Sequence, residues 1–149
     1  MAKERYIGTA SLKVDAKGRI AVPAFCRVNG AKLFFVTFGR KRFLRLYDWE
    51  EFSKSVEVLD SLNQFDAKTE EMKRAMLGGS KLEIDSHGRL TIPKNLRDWA
   101  GLTGEIVVTG VSTHMEIWNS EAFAAEFAAN IADLGKNMQE IAEQRKEPR

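Results

Sequence analysis

Apolar and polar positions alternate in short bursts near the start of the chain, and the period lengthens further along. Leu12 and Val14 flank Lys13, and Ile20 and Val22 flank Ala21; a period of two predicts half-buried strands. Between the two pairs lies Asp15-Ala16-Lys17-Gly18-Arg19, which reads as a turn, and Pro23 ends the second strand because it has no N–H to give a ladder. Residues 34–38 and 44–47 are apolar enough for two more strands. From Asp48 onward Trp49, Phe52, Val56 and Leu59 recur at helical spacing, with Asp48 and Glu51 placed as in a capping box. A second helix is predicted over 66–77, ended by Gly78-Gly79.

The same succession then begins again. Leu12-Lys13-Val14-Asp15-Ala16-Lys17-Gly18-Arg19-Ile20-Ala21-Val22-Pro23 recurs as Leu82-Glu83-Ile84-Asp85-Ser86-His87-Gly88-Arg89-Leu90-Thr91-Ile92-Pro93, at an offset of 70 residues. A second match follows at an offset of 71: Phe35-Val36 with Ile106-Val107, Gly39 with Gly110, Leu44-Arg45-Leu46-Tyr47 with Met115-Glu116-Ile117-Trp118, and Phe52 with Phe123. Two matched blocks in the same order indicate a duplicated module, 1–78 and 79–149. In the second copy Pro93 can open a short helix holding Leu96, Trp99 and Ala100 and stopped by Gly101, with strands at 106–109 and 115–118. Asn119 or Ser120 would cap a final helix whose stripe of Phe123, Phe127, Ile131 and Leu134 is expected to be core. Residues from about 136 to 149 are polar and expected to fray. The fold class is α+β.

Composition fits a soluble globular protein: 44% hydrophobic and 30% charged residues in 149. No apolar run approaches the roughly 20 residues of a membrane span, and the basic start lacks the apolar core of a signal peptide. Cys26 is the single cysteine, so no disulfide can form within the chain, and a cytoplasmic location is expected. The net charge of +2 conceals an asymmetry: residues 1–45 carry +9, 46–79 carry −4, 80–118 carry −1 and 119–149 carry −2. A basic block of that density suits a polyanionic partner, nucleic acid first, or is balanced by acidic surface elsewhere in the chain or on a neighbouring subunit.

The turn motif suggests how such a partner would be met. Asp15 and Asp85 can accept backbone N–H bonds across a tight bend, as aspartate does in Asx-turns. Gly18 and Gly88 can adopt positive φ at little cost. Arg19 and Arg89 follow the bend, where each could pair with its own loop's aspartate or point outward. A plain hairpin with a local ion pair is the competing reading, and duplication alone could explain the identity of the two copies. The first copy is the more basic, with Lys3, Arg5, Lys13, Lys17 and Arg19 close together, whereas Glu83 and His87 replace Lys13 and Lys17 in the second. A hairpin bearing these residues could enter a DNA groove as a β-ribbon, lysine meeting phosphates and arginine also reading guanine edges.

Other chemistry finds little support. His87, His114 and Cys26 are too few and scattered for a metal site. No phosphate-binding glycine loop or catalytic constellation is present, so neither an enzyme nor a cofactor is expected. Trp49, Trp99 and Trp118 are expected to fill cores or subunit contacts, and Cys26 to be a buried small hydrophobe.

The paired motifs Val-Asp-Ala-Lys-Gly-Arg-Ile-Ala-Val-Pro and Ile-Asp-Ser-His-Gly-Arg-Leu-Thr-Ile-Pro resemble the MraZ family over about residues 6–134. So do Leu96-Arg97-Asp98-Trp99-Ala100-Gly101-Leu102, Glu116-Ile117-Trp118 and Met76-Leu77-Gly78-Gly79. The resemblance implies two SpoVT-AbrB-type modules forming swapped-hairpin-like β-barrels that pair within one chain. It implies a homo-oligomeric ring, often an octamer, located on the nucleoid in the cytoplasm. It further implies binding to short direct repeats in promoter DNA ahead of the protein's own division and cell-wall gene cluster. Arg19 and Arg89 correspond to the family arginines, and Asp15 and Asp85 to its aspartates. The chain departs from the family at Ile7, where a basic residue is common, with Lys3 and Arg5 nearby as substitutes. An antitoxin-like role and a barrel that binds no DNA remain as alternatives.

Overall fold

The structure is a computed structural model that describes residues 2–146. It comprises two compact units, Met1–Asn119 and Ser120–Arg149. In the first unit, β1 (Thr9–Lys13), β2 (Arg19–Ala21), a 3-10 turn (Ala24–Cys26), β3 (Leu33–Phe38) and β4 (Leu44–Asp48) lead into α1 (Trp49–Asp60) and α2 (Ala67–Leu77). The second repeat supplies β5 (Ser80–Glu83), β6 (Arg89–Thr91), α3 (Lys94–Ala100), β7 (Glu105–Gly110) and β8 (Met115–Asn119).

Strands are exchanged between the repeats. The six-stranded antiparallel sheet runs β1-β7-β8-β4-β3-β5, and β2 and β6 form a separate antiparallel ribbon. Thus β1 of the first repeat lies on β7 of the second, from Thr9 opposite Thr109 to Lys13 opposite Glu105, while β5 of the second lies on β3 of the first. The plain hairpin of the competing reading therefore does not form: β1 and β2 each pair with strands of the other repeat. Alternation shows that a strand is half-buried but not which strand it joins, and a duplicated pattern offers each strand two compatible partners. The repeat boundary near residue 78 falls inside the first unit for the same reason.

One core holds the exchange together. Phe34, Val36, Leu44, Leu46, Ile106, Val108, Met115 and Ile117 point from the sheet into the same cluster as Ile20, Val22, Leu90 and Ile92. On the sheet's other face Phe35 and Tyr47 meet Phe52 of α1, with the Phe35 and Phe52 rings stacked at 3.9 Å. Cys26 is buried as expected, and burial pushes its thiol up to about 12. Asp48 caps α1 by accepting from the Glu51 N–H at 2.9 Å. Gly101, at φ 63°, ends α3 where the sequence placed its stop.

The second unit contains α4 (Ser120–Ala132) and α5 (Leu134–Lys146). Two expectations are corrected here. No residue of α4 is buried, and Phe127, Ile131 and Leu134 are about half exposed (48%, 54% and 50%), so the stripe is not core. Helical periodicity shows that apolar residues share a face but not that the face is covered. The segment expected to fray from about 136 is helical as far as Lys146, because its Gln, Glu, Lys and Met residues are polar or flexible yet favour helix. Residues 147–149 of that segment lie outside the described residues. Among the described residues no helix is long and apolar enough to cross a membrane.

Candidate nucleic-acid interface

Each Asp-x-x-Gly-Arg turn is organised by its aspartate. Asp15 Oδ1 accepts from the backbone N–H groups of Lys17 and Arg19, both at 2.9 Å, and Oδ2 accepts from Arg19 Nε at 2.6 Å. The main chain closes the same bend, Gly18 N donating to Asp15 O and Asp15 N to Arg19 O, both at 3.0 Å. The second turn repeats this geometry: Asp85 accepts from His87 N at 2.8 Å and from Arg89 N and Nε at 2.9 Å. Gly18 and Gly88 take φ of 79° and 76°, a region costly for any side chain with a Cβ. In both turns the arginine backbone N–H is the largest influence on the aspartate, and although burial opposes it next, the arginine side chain and the neighbouring N–H help hold the carboxyl below the usual aspartate range.

The two competing fates of the arginine are thus combined. Nε is committed to the loop aspartate, which fixes the direction of the side chain, while the Arg19 and Arg89 side chains remain 27% and 31% exposed. The ribbon then brings the two turns together. Ile20 and Leu90 are paired and buried, so the alternation places Arg19, Ala21, Arg89 and Thr91 on the opposite, outer face. Lys17 is exposed on the first turn and His87 on the second.

The other predicted residues are spread more widely. Lys13 is exposed at the end of edge strand β1, opposite Glu105. Arg5 is exposed beside buried Tyr6. Lys3 is not gathered to the turns: its Nζ lies 2.7 Å from Asp48 and 3.3 Å from Glu51 at the start of α1. Burial opposes the Lys3 charge, yet the bond and charge of Asp48, with Glu51, raise its pKa. Asp48 also accepts from the Tyr6 hydroxyl, and these partners together hold its carboxyl below the usual range against burial.

Two arginines to which the sequence assigned no role at the turns lie in contact with them. The Arg97 guanidinium lies against Gly18, and the Arg27 guanidinium against Gly88. The repeat itself carried the signal, since Arg27 and Arg97 keep the offset of 70 and each stands four residues after its module's proline. Among the described residues no cluster of three or more His, Cys, Asp or Glu side chains could hold a metal ion.

Comparison with known proteins sets this geometry in a family. The family described as "MraZ protein, putative antitoxin-like" matches twice, over residues 6–75 and 75–144. The chain belongs to the MraZ family. It is 35% identical over 136 residues to a transcriptional regulator MraZ of Lachnoclostridium phytofermentans, covering 91% of this chain and 96% of that protein. It is 34% identical over 140 residues to the namesake of Desulforamulus reducens, covering 91% and 99%. With the namesake of Thermobifida fusca it shares 35% over 137 residues, covering 89% and 96%. These MraZ relatives carry the name of a regulator, not of an enzyme, and both turn motifs fall within the matched repeats.

Proposed function

We propose that this chain is a DNA-binding transcriptional regulator that grips a duplex with the outer face of the β2–β6 ribbon and its two turns. One observation carries the reading: Arg19 and Arg89 are each aimed by a loop carboxylate and share one outer face, with Lys17 exposed beside them. A guanidinium fixed through Nε keeps its terminal donors for phosphate or for guanine O6 and N7. Lys17 and Lys13 supply phosphate contacts, Arg5 flanks them, and Lys3 acts mainly through its ion pair with α1. The repeats, 1–78 and 79–149, act as AbrB-like swapped-hairpin halves of one barrel. The names of the relatives support regulation of transcription.

The operator in this reading is a set of short direct repeats upstream of the protein's own division and cell-wall gene cluster. A homo-oligomeric ring in the cytoplasm, on the nucleoid, would present several ribbons at once and gain avidity on such repeats. The test is titration of the full-length protein onto duplex from upstream of its gene, by fluorescence anisotropy. Specific binding that Arg19→Ala weakens measurably while the oligomeric mass stays unchanged is expected; equal binding by both proteins would end the assignment.

A further inference from the structure

Arg97 belongs to α3 of the second repeat, yet it covers the turn of the first. A Cβ placed on Gly18 would stand 2.6 Å from Arg97 Cζ and Nε and 2.9 Å from Nη2, so the guanidinium occupies the space a side chain would need. The same arginine donates from Nε to Ile92 O at 2.8 Å. Ile92 N in turn donates to Gly18 O at 2.9 Å, which links Arg97, Ile92 and the first turn into one assembly. The other side shares the guanidinium contact and the main-chain bond. Arg27 of the first repeat sets Nη1 2.7 Å from the Cβ position of Gly88, and Val22 N donates to Gly88 O at 2.9 Å. No acidic side chain pairs with either arginine among the described residues, so ion pairing does not account for their placement.

We propose that Arg97 and Arg27 are positioning residues for duplex recognition, each holding the Asp-x-x-Gly-Arg turn of the opposite repeat in its binding shape. This rests on the DNA-binding reading above. The aspartate sets the inner geometry of each turn, and the crossed arginine closes its flank with a flat guanidinium that only a glycine admits. Lysine has no such plane and no Nε–H to give Ile92 O, so it cannot substitute. The arrangement also makes the turns interdependent, since neither repeat supports its own. Arg97 acts through Arg19 and Lys17, and Arg27 acts through Arg89.

The test is a double-mutant cycle on the full-length protein, read as affinity for the upstream duplex at one fixed salt concentration, with Tm recorded for each variant. Arg97→Ala is expected to weaken binding about tenfold, the scale of one well-placed polar contact, and Arg97→Lys is expected not to restore it. Arg19→Ala combined with Arg97→Ala should bind within about twofold of Arg19→Ala alone, whereas Arg89→Ala combined with Arg97→Ala should show the product of the single effects. Arg27→Ala should show the reverse pattern. Arg97→Met, which keeps much of the side chain's packing but removes the guanidinium, serves as a second route to the same signature should Arg97→Ala unfold at the working temperature. Multiplicative effects in both cycles, or an Arg97→Ala protein that binds normally, would overturn the inference and leave the DNA-binding reading intact. Failure of the unaltered protein to bind any duplex would overturn both.

Discussion

Arg19 and Arg89 are diagonal neighbours on the outer face of the β2–β6 ribbon: Arg19 faces Thr91, Arg89 faces Ala21, and the buried pair Ile20–Leu90 lies between. Diagonal positions on an antiparallel pair are about 7–8 Å apart, and a major groove is about 12 Å wide. Both guanidinium groups can therefore enter one groove. In the proposed DNA-binding reading the two copies of the motif act as a single recognition element, because the exchange of strands between repeats places both arginines on one ribbon.

Removing the carboxylate that aims the arginine should cost binding more than stability. Asp15→Ala deletes the acceptor of three bonds in an exposed turn while leaving the ribbon's buried pair untouched. We expect duplex affinity to fall about tenfold or more, the effect of releasing a charge-assisted contact, with Tm within a few degrees of the unaltered protein. Anisotropy and thermal unfolding on the same sample check this.

Acid should weaken the fold through His114. Burial, aided by Arg45 and only partly opposed by Glu51, pulls its pKa from 6.5 to about 4. Between those values the unfolded chain binds the proton and the folded chain does not, so stability rises with pH across that window and falls as pH drops through it. His114→Gln should flatten this part of the stability curve, measured by urea unfolding at a series of pH values. Asp15 and Asp85 titrate below the ordinary range, so their stabilising contribution is lost only at still lower pH.

The start of α1 depends on one side chain. Asp48 accepts from the Glu51 N–H, the Tyr6 hydroxyl and Lys3. Asp48→Ala removes a cap worth about 0.5–2 kcal/mol and strands buried Tyr6 at about 1–3 kcal/mol. A destabilisation of about 2–4 kcal/mol by chemical unfolding is expected, and Tyr6→Phe should recover part of it in the double variant.

The core beneath the ribbon should be equally demanding. Leu90 is fully buried and pairs with Ile20 across the two repeats. Leu90→Ala is expected to cost about 2–5 kcal/mol, by loss of transfer energy and by the cavity left behind. Because the cavity lies under both turns, duplex affinity should fall together with stability.

Much of this was legible in the residues alone. The duplicated Asp, Gly, Arg and Pro positions located both turns, and alternation at Leu12, Ile20, Leu82 and Leu90 placed the strands that follow from them. Partner choice was not legible, because Ile20 could as readily pair within its own repeat as with Leu90. The support from Arg27 and Arg97 was hidden for a related reason: each lies against the other repeat's glycine, 61 and 79 residues away in the chain, rather than against the glycine 9 residues before it in its own repeat. The stripe Phe127, Ile131 and Leu134 shows the opposite case, a clear periodic signal whose burial depends on surroundings that periodicity does not encode.

Whether the two turns face the duplex can be read by site-directed cross-linking. Cys26 is buried with its thiol pushed up to about 12, so an engineered surface cysteine is the reactive one. Lys17→Cys, His87→Cys and, as a control on exposed α1, Ser53→Cys would each carry a photoactivatable aryl azide and be irradiated with the upstream duplex. Covalent DNA adducts are expected from positions 17 and 87 and none above background from 53. Adducts from 53 with none from 17 or 87 would contradict that orientation.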